Sequence, residues 1–204
     1  MNFRLIIGLL VLSFFAGCTW TTSSPPAHYY LLPAQPPPSA KFPEIHWNIG
    51  VEPIKLPRYL DRPQIVTVED RGQVRLAEFH RWAEPVRDGF TRVLMAGLNA
   101  RIPNGQVLSL PARHIPIDWA VAIQVTQFHV HDGHCLLQAA WRLRQGQKAY
   151  KFHREQIQVP VSNAHNYPVV VTAMSQAIDQ LADKIARHLE LHRLRAMSIA
   201  SEIP

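Results

Sequence analysis

Parity constrains this chain more than any other feature of it. From Ile117 the odd positions Ile117, Trp119, Val121, Ile123 and Val125 are apolar, while the even ones are Asp118, Ala120, Ala122, Gln124 and Thr126. After Asp132-Gly133 the odd positions Cys135, Leu137, Ala139, Trp141 and Leu143 are apolar again. Successive strand residues point to opposite faces, so each run is a strand with one buried face, and the Asp-Gly between them marks a hairpin. Opposed residues in a hairpin share a constant index sum. Two odd-numbered core faces therefore meet only if that sum is even, which excludes a two-residue Asp-Gly loop. A three-residue loop, His131-Asp132-Gly133 with Gly133 in a left-handed bulge, meets the condition. It sets Val125 opposite Ala139 and Ile123 opposite Trp141.

The other elements follow from the same kind of pattern. His28–Leu32, Ile45–Val51, Gln64–Val68 and Tyr150–Val159 read as strands, punctuated by Pro33, Pro53, Pro57 and Pro160. Asp70-Arg71-Gly72 reads as the turn of a hairpin into Val74–Phe79. Glu84-Pro85 opens a helix, because proline fits the first helical position and an acidic residue there suits the dipole. Its apolar face carries Val86, Phe90, Val93, Leu94, Gly97 and Leu98, and Pro103-Asn104-Gly105 stops it. The longest periodic stretch, Asn166 to Met197, places Met174, Ile178, Leu181, Ile185 and Leu189 on one stripe. Together these predict an α+β fold: a single domain over 28–204, with a mainly antiparallel sheet and two amphipathic helices packed on one face.

The amino terminus has a separate logic. Arg4 is followed by an uncharged, nearly all-apolar run from Leu5 to Phe15 and then by Ala16-Gly17-Cys18. A short cationic end, ~7–15 apolar residues and a small-residue cleavage site form an export signal. Cysteine directly after Ala-Gly points to a lipoprotein signal over residues 1–17, with diacylglycerol on the thiol of Cys18 and acylation of the new terminus. More than one chain matters, since a single acyl chain anchors only marginally. An ordinary cleaved secretory peptide with an incidental cysteine is the plainer alternative. Residues 18–27 are a Ser/Thr/Pro tether that cannot fold alone. Ten residues separate Cys18 from His28, and at ~3.3–3.6 Å per extended residue the domain stays within about 35 Å of the lipid.

Cys18 and Cys135 are the only cysteines. A lipidated Cys18 leaves Cys135 as a lone thiol best kept buried. The 21 Lys and Arg against 15 Asp and Glu give +6, and loss of Arg4 leaves +5. No run of about five or six like charges marks a nucleic-acid or polybasic lipid site.

Tempting chemistry is sparse. His129, His131, His134 and Cys135 are of metal-ligating type. In the three-residue-loop register, however, His129 and Cys135 share the core face, His134 points to the other face and His131 sits in the turn. His188-x-Glu190-x-His192 lacks the Glu placement of a metalloprotease helix and reads as a polar helix face. There is no G-x-S-x-G elbow and no phosphate-cradling glycine loop. The reading is of a chain that is not an enzyme and carries no cofactor or metal.

Taken in order, the lipobox, His28-Tyr29-Tyr30-Leu31-Leu32, Leu56-Pro57-Arg58-Tyr59-Leu60-Asp61-Arg62-Pro63-Gln64-Ile65-Val66 and Trp82-Ala83-Glu84-Pro85 resemble the auxiliary lipoproteins of ABC-type transport systems, of the paraquat-inducible (PqiC-like) type. The resemblance implies an outer-membrane lipoprotein, to which Thr19 in place of Asp after Cys18 also conforms. It further implies a non-catalytic adaptor working beside an MCE-domain protein and its inner-membrane permease complex, in lipid transport between membranes. Multimeric MCE partners leave room for a homo-oligomer. Pro57 and Pro63 stiffen the signature loop, and Arg58, Tyr59 and Leu60 on it are the candidate partner-binding residues. Trp82 and Pro85 read as structural. The alternatives are a lipid-binding periplasmic carrier domain and a metal-dependent enzyme built on the His129/His131/His134 cluster. Intact-mass measurement on protein from cells should show acyl chains on a mature terminus beginning at Cys18, and Cys18→Ser should leave uncleaved precursor.

Overall fold

A computed structural model describes residues 24–35 and 41–201; the signal segment and Cys18 lie outside them. Among the described residues nine strands form one mixed sheet. They are β1 (His28–Tyr30), β2 (Asn48–Val51), β3 (Gln64–Val68), β4 (Val74–Trp82), β5 (Gln106–Ser109), β6 (Trp119–His131), β7 (His134–Gln145), β8 (Lys148–Ala149) and β9 (His153–Pro160). Two helices, α1 (Val86–Arg101) and α2 (Tyr167–Ser201), complete an α+β domain.

Strand β6 is the axis. Along one edge it pairs antiparallel with β7, which in turn pairs with β8 and β9. The other edge is shared. Its first residues pair in parallel with β2, as Ile49↔Trp119 to Val51↔Val121, and its far end with β3 at Thr67↔Val130. Lys55 bridges to Gln124 in between. Beyond β2 lies β5, and beyond β3 lie β4 and then β1. The long ladders are antiparallel, and the short outer additions β2, β5 and β1 are parallel. Strand β5 carries too few residues between Gly105 and Pro111 to show a period in the sequence.

The hairpin keeps the expected pairs Ile123↔Trp141 and Val125↔Ala139, but the parity problem is solved elsewhere. The turn is the two-residue Asp132-Gly133, closed by His131↔His134, with φ of 45° and 67° at its two central residues. Positive φ at both positions is the geometry that matches strand twist, and Asp-Gly favours it. The extra residue is absorbed by a bulge between Val125 and Gln127. Past that point the buried face of β6 passes from odd to even positions, with Phe128 at 0% and Val130 at 2% exposure. His129 is thereby turned away from Cys135, which corrects the expectation that the two share the core face.

Both helices start and end close to where the periodicity predicts. On α2, Met174, Ile178, Leu181, Ile185 and Leu189 are all buried, and on α1 so are Phe90, Val93, Leu94 and Leu98. Phe90 meets Phe128 of β6 edge-on at 5.3 Å. Fully burying an apolar side chain of this size contributes about 1.5–3 kcal/mol, so these two stripes are the main adhesive between helices and sheet.

The helices also touch one another closely. A Cβ at Gly97 would sit 3.0 Å from the Cβ of Ala182. Beside it Arg101, 4% exposed, donates from Nη1 and Nη2 to the two carboxylate oxygens of Asp179 at 2.8 Å each and from Nε to Asp183 at 3.1 Å. Burial alone would lift the Asp183 carboxyl, but hydrogen bonds from Arg187 and Arg101 outweigh it and hold it below the usual carboxylate value.

Histidines fill the seam between α2 and the sheet. His153 of β9 stacks on Trp141 at 4.5 Å, His188 meets Trp141 edge-on and His153 at 4.2 Å, and His192 packs on Trp119 and Tyr150. The pair His188 and His192 is therefore not a solvated polar face: an imidazole can lie against an indole as a flat, weakly polar ring.

Two outcomes are expected from this packing. Arg101→Ala strands Asp179 at a buried contact and leaves Asp183 only Arg187, and should cost about 3–5 kcal/mol, read as a lower urea midpoint. Burial, foremost, lowers the basicity of His80, His129, His153 and His192. Unfolded chain thus binds more protons than folded chain just below the ordinary histidine value of about 6.5. Stability should be full above that pH and decline as pH falls through the lowered folded values, and His153→Phe should flatten the decline.

Candidate functional site

The two halves of the sequence signature, separated by some twenty residues, meet in space. Residues Arg58–Leu60 form a 3-10 turn, held by Leu60 N–H to the Pro57 carbonyl at 3.0 Å and Asp61 N–H to the Arg58 carbonyl at 3.1 Å. Prolines at both ends fix φ and make this geometry cheap to hold. From the other side, the Trp82 N–H donates to the Pro63 carbonyl at 2.6 Å, and the Ala83 N–H to the Tyr30 carbonyl of β1 at 2.9 Å. The Trp-Ala-Glu-Pro corner is thus the joint between the signature loop, the first strand and α1. Trp82 is buried at 7% exposure, in keeping with its structural reading.

Ion pairs extend the joint across the surface. Asp61 takes a hydrogen bond from Arg87 at 3.1 Å, and Glu84 one from Arg92 at 2.6 Å, while Arg92 also reaches the Leu32 carbonyl at 3.0 Å. An open depression of about 330 Å³ lies between Asp61, Arg62, Trp82 and Pro85. A second, of about 540 Å³, runs along α1 between Ile54, Arg87 and Met95. Both are clefts on the surface.

The three loop residues have different surroundings. Arg58 is exposed and Tyr59 half-buried, whereas Leu60 is 4% exposed and belongs to the core. The Tyr59 hydroxyl lies 3.0 Å from His129 Nδ1. Burial raises the phenol, more than the Phe128 backbone hydrogen bond lowers it, and burial followed by the His131 charge lowers the imidazole. Both shifts favour the uncharged forms, and a single hydrogen bond joins the phenol and the ring nitrogen. Such a pair fastens the turn to the sheet without generating a nucleophile or a base of unusual strength.

The remaining histidines of the predicted cluster are engaged separately. His131 Nδ1 lies 3.1 Å from the Val68 carbonyl, and His134 Nδ1 lies 2.8 Å from the Asp132 carbonyl. Cys135 is fully buried on the opposite face, where burial pushes its thiol up to about 12. Among the described residues no three His, Cys, Asp or Glu side chains converge as metal ligands.

One cluster near the root of the tether carries no sequence signal. His80 of β4 stacks on Tyr167 at 4.0 Å and on His28 at 5.2 Å, and its Nδ1 lies 2.9 Å from the Tyr30 hydroxyl. These partners are up to some 140 residues apart in sequence, so no local pattern marks them.

Among the described residues no helix is long and apolar enough to cross a membrane. No curated protein matches the chain. Among solved structures, a crystal structure of an uncharacterized protein shares 23% identity over 81% of this chain and 99% of that one, with a TM-score of 0.69. A Xanthomonas campestris protein of the DUF330 family shares 18% identity over 84% of this chain and 99% of that one, with a TM-score of 0.71. At such identities the likeness is one of fold. The sequence profile of the ABC-type transport auxiliary lipoprotein component spans residues 29–186. That span contains the signature turn, the Trp-Ala-Glu-Pro corner, the hairpin and most of α2, and the chain belongs to this family of ABC-type transport auxiliary lipoproteins.

Proposed function

We propose that the protein is a non-catalytic adaptor, held by lipid on Cys18 at the periplasmic face of the outer membrane, that receives an MCE-domain protein driven by an inner-membrane ABC permease complex. The observation carrying this reading is the polarity of the domain. Strand β1, which continues from the tether, is pinned by the His80 stack to Tyr167 at the start of α2. Helix α2 has 35 residues, about 52 Å at ~1.5 Å per residue. Its last aromatic contact with the sheet is His192 on Trp119 and Tyr150. Beyond it Leu194, Met197 and Ile199 are 48%, 57% and 64% exposed. A chain anchored at one end therefore offers apolar side chains about 40–48 Å further along the helix, toward a partner coming from the inner membrane.

Arg58 on the signature turn is a second candidate contact, with Tyr59 acting through the rigidity it lends the turn. Leu60 acts only through the core. A symmetric, multimeric partner would favour several copies of the domain around it.

Photo-crosslinkers at Leu194 and Arg58 in intact cells test the reading. The expected product is an MCE-domain protein joined to one or both positions, with the product at 194 weakened by Arg58→Glu while the unfolding free energy stays within about 0.5 kcal/mol of wild type, as for an exposed substitution. Crosslinks confined to other proteins would overturn it.

A further inference from the structure

Strand β1 has two unlike faces. His28 and Tyr30 are on the side of His80, which stacks on Tyr167 of α2. Tyr29 is paired in register with Arg81 and is 63% exposed. Leu31 lies two residues on, at 54%, and Phe79, which flanks His80 on the other side from Arg81, at 41%. The register sets Tyr29 beside Arg81, away from the His28–His80–Tyr30 side, and Leu31 and Phe79 are the exposed apolar side chains next to that pair at the same edge. Edge strands are ordinarily blunted with charge, and this one is aromatic and aliphatic instead. Single exposed apolar residues need no account, but three beside one guanidinium, on a strand whose other face is locked down, form a rigid patch.

The position of the patch says what covers it. His28 is ten residues from Cys18, so this strand lies within about 35 Å of the acyl chains along the covalent path. Tyrosine, phenylalanine and leucine with an arginine are the composition that settles at a lipid–water boundary, rings among the headgroups and guanidinium on phosphate. Glu78 is exposed in the same strand, and Arg81 Nε is bonded to the Glu78 carbonyl rather than to its carboxylate. A weak contact suffices here, because the tether keeps the local lipid concentration at millimolar order or above.

We propose that the outer face of the β1–β4 edge, formed by Tyr29, Leu31, Phe79 and Arg81, rests in the glycerophospholipid headgroup layer to which Cys18 is fixed. This rests on the anchor reading above and converts a leash into a defined stance, with α2 directed away from the bilayer.

The test uses the full chain as cells make it. Cys135 is buried and its thiol is pushed up to about 12, so a cysteine placed elsewhere is labelled in preference to it, and any label on an unmodified Cys18 is common to all three variants. Leu31→Cys, Phe79→Cys and, at the opposite end, Gln147→Cys are labelled with an environment-sensitive fluorophore and reconstituted in vesicles of phosphatidylethanolamine and phosphatidylglycerol carrying a headgroup nitroxide. Quenching several-fold stronger at 31 and 79 than at 147 is expected. Equal quenching at all three positions overturns the proposal, as does shielding of 31 and 79 that rises with protein concentration without vesicles and so assigns the face to a second copy. Intact mass of the same samples separates the two readings. Acylated protein without selective quenching sinks the surface and leaves the anchor, whereas selective quenching of unacylated protein sinks the anchor and leaves the surface.

Discussion

Strand β6 carries one residue more than β7 has room to oppose, and where that residue goes decides the rest of the molecule. Spent as a bulge between Val125 and Gln127, it rotates the strand by half a period midway along its length. Both halves can then bury apolar side chains toward the helices, the first through Trp119, Val121, Ile123 and Val125 and the second through Phe128 and Val130. An unbulged strand would aim His129 and His131 into the core and leave Phe128 outside. The same break divides the edge of β6 between β2 and β3, and the signature segment fills the gap between them.

Against that sheet the helix pair is locked by a different force. Arg101 is a buried cation satisfied by two aspartates and a carbonyl, and its worth lies less in net stability than in the cost of any arrangement that leaves it unpaired. Gly97 allows the backbones near enough for the bonds to form. Hydrophobic stripes hold the helices on the sheet, and the guanidinium fixes how far along each other they sit. The histidines of the α2 seam add shape and a dependence on proton concentration.

The fold was largely legible in the sequence because its strongest elements repeat. The stripe from Met174 to Leu189 and the alternation from Trp119 to Leu143 are long enough to specify type, face and even the pairs Ile123↔Trp141 and Val125↔Ala139. The bulge had a visible trace in the apolar even positions Phe128 and Val130, which the odd-parity pattern does not accommodate. What stayed hidden were short parallel additions such as β5, and side-chain meetings such as His80 with Tyr167, which only the assembled sheet creates. At the signature the spacing of prolines foretold a rigid turn. It could not distinguish exposed Arg58 from buried Leu60, since neighbours on a 3-10 turn point in different directions.

The longer of the two helices is also the last of the described elements in chain order. Until Tyr167–Ser201 emerges, the apolar face around Trp119 and Trp141 has no helix to close upon, and β1 has no Tyr167 to brace it. Contacts so distant along the chain delay closure until nearly every residue is available. A polypeptide of this design stays open until its carboxy-terminal helix has been made, and the long sheet then closes in one late step.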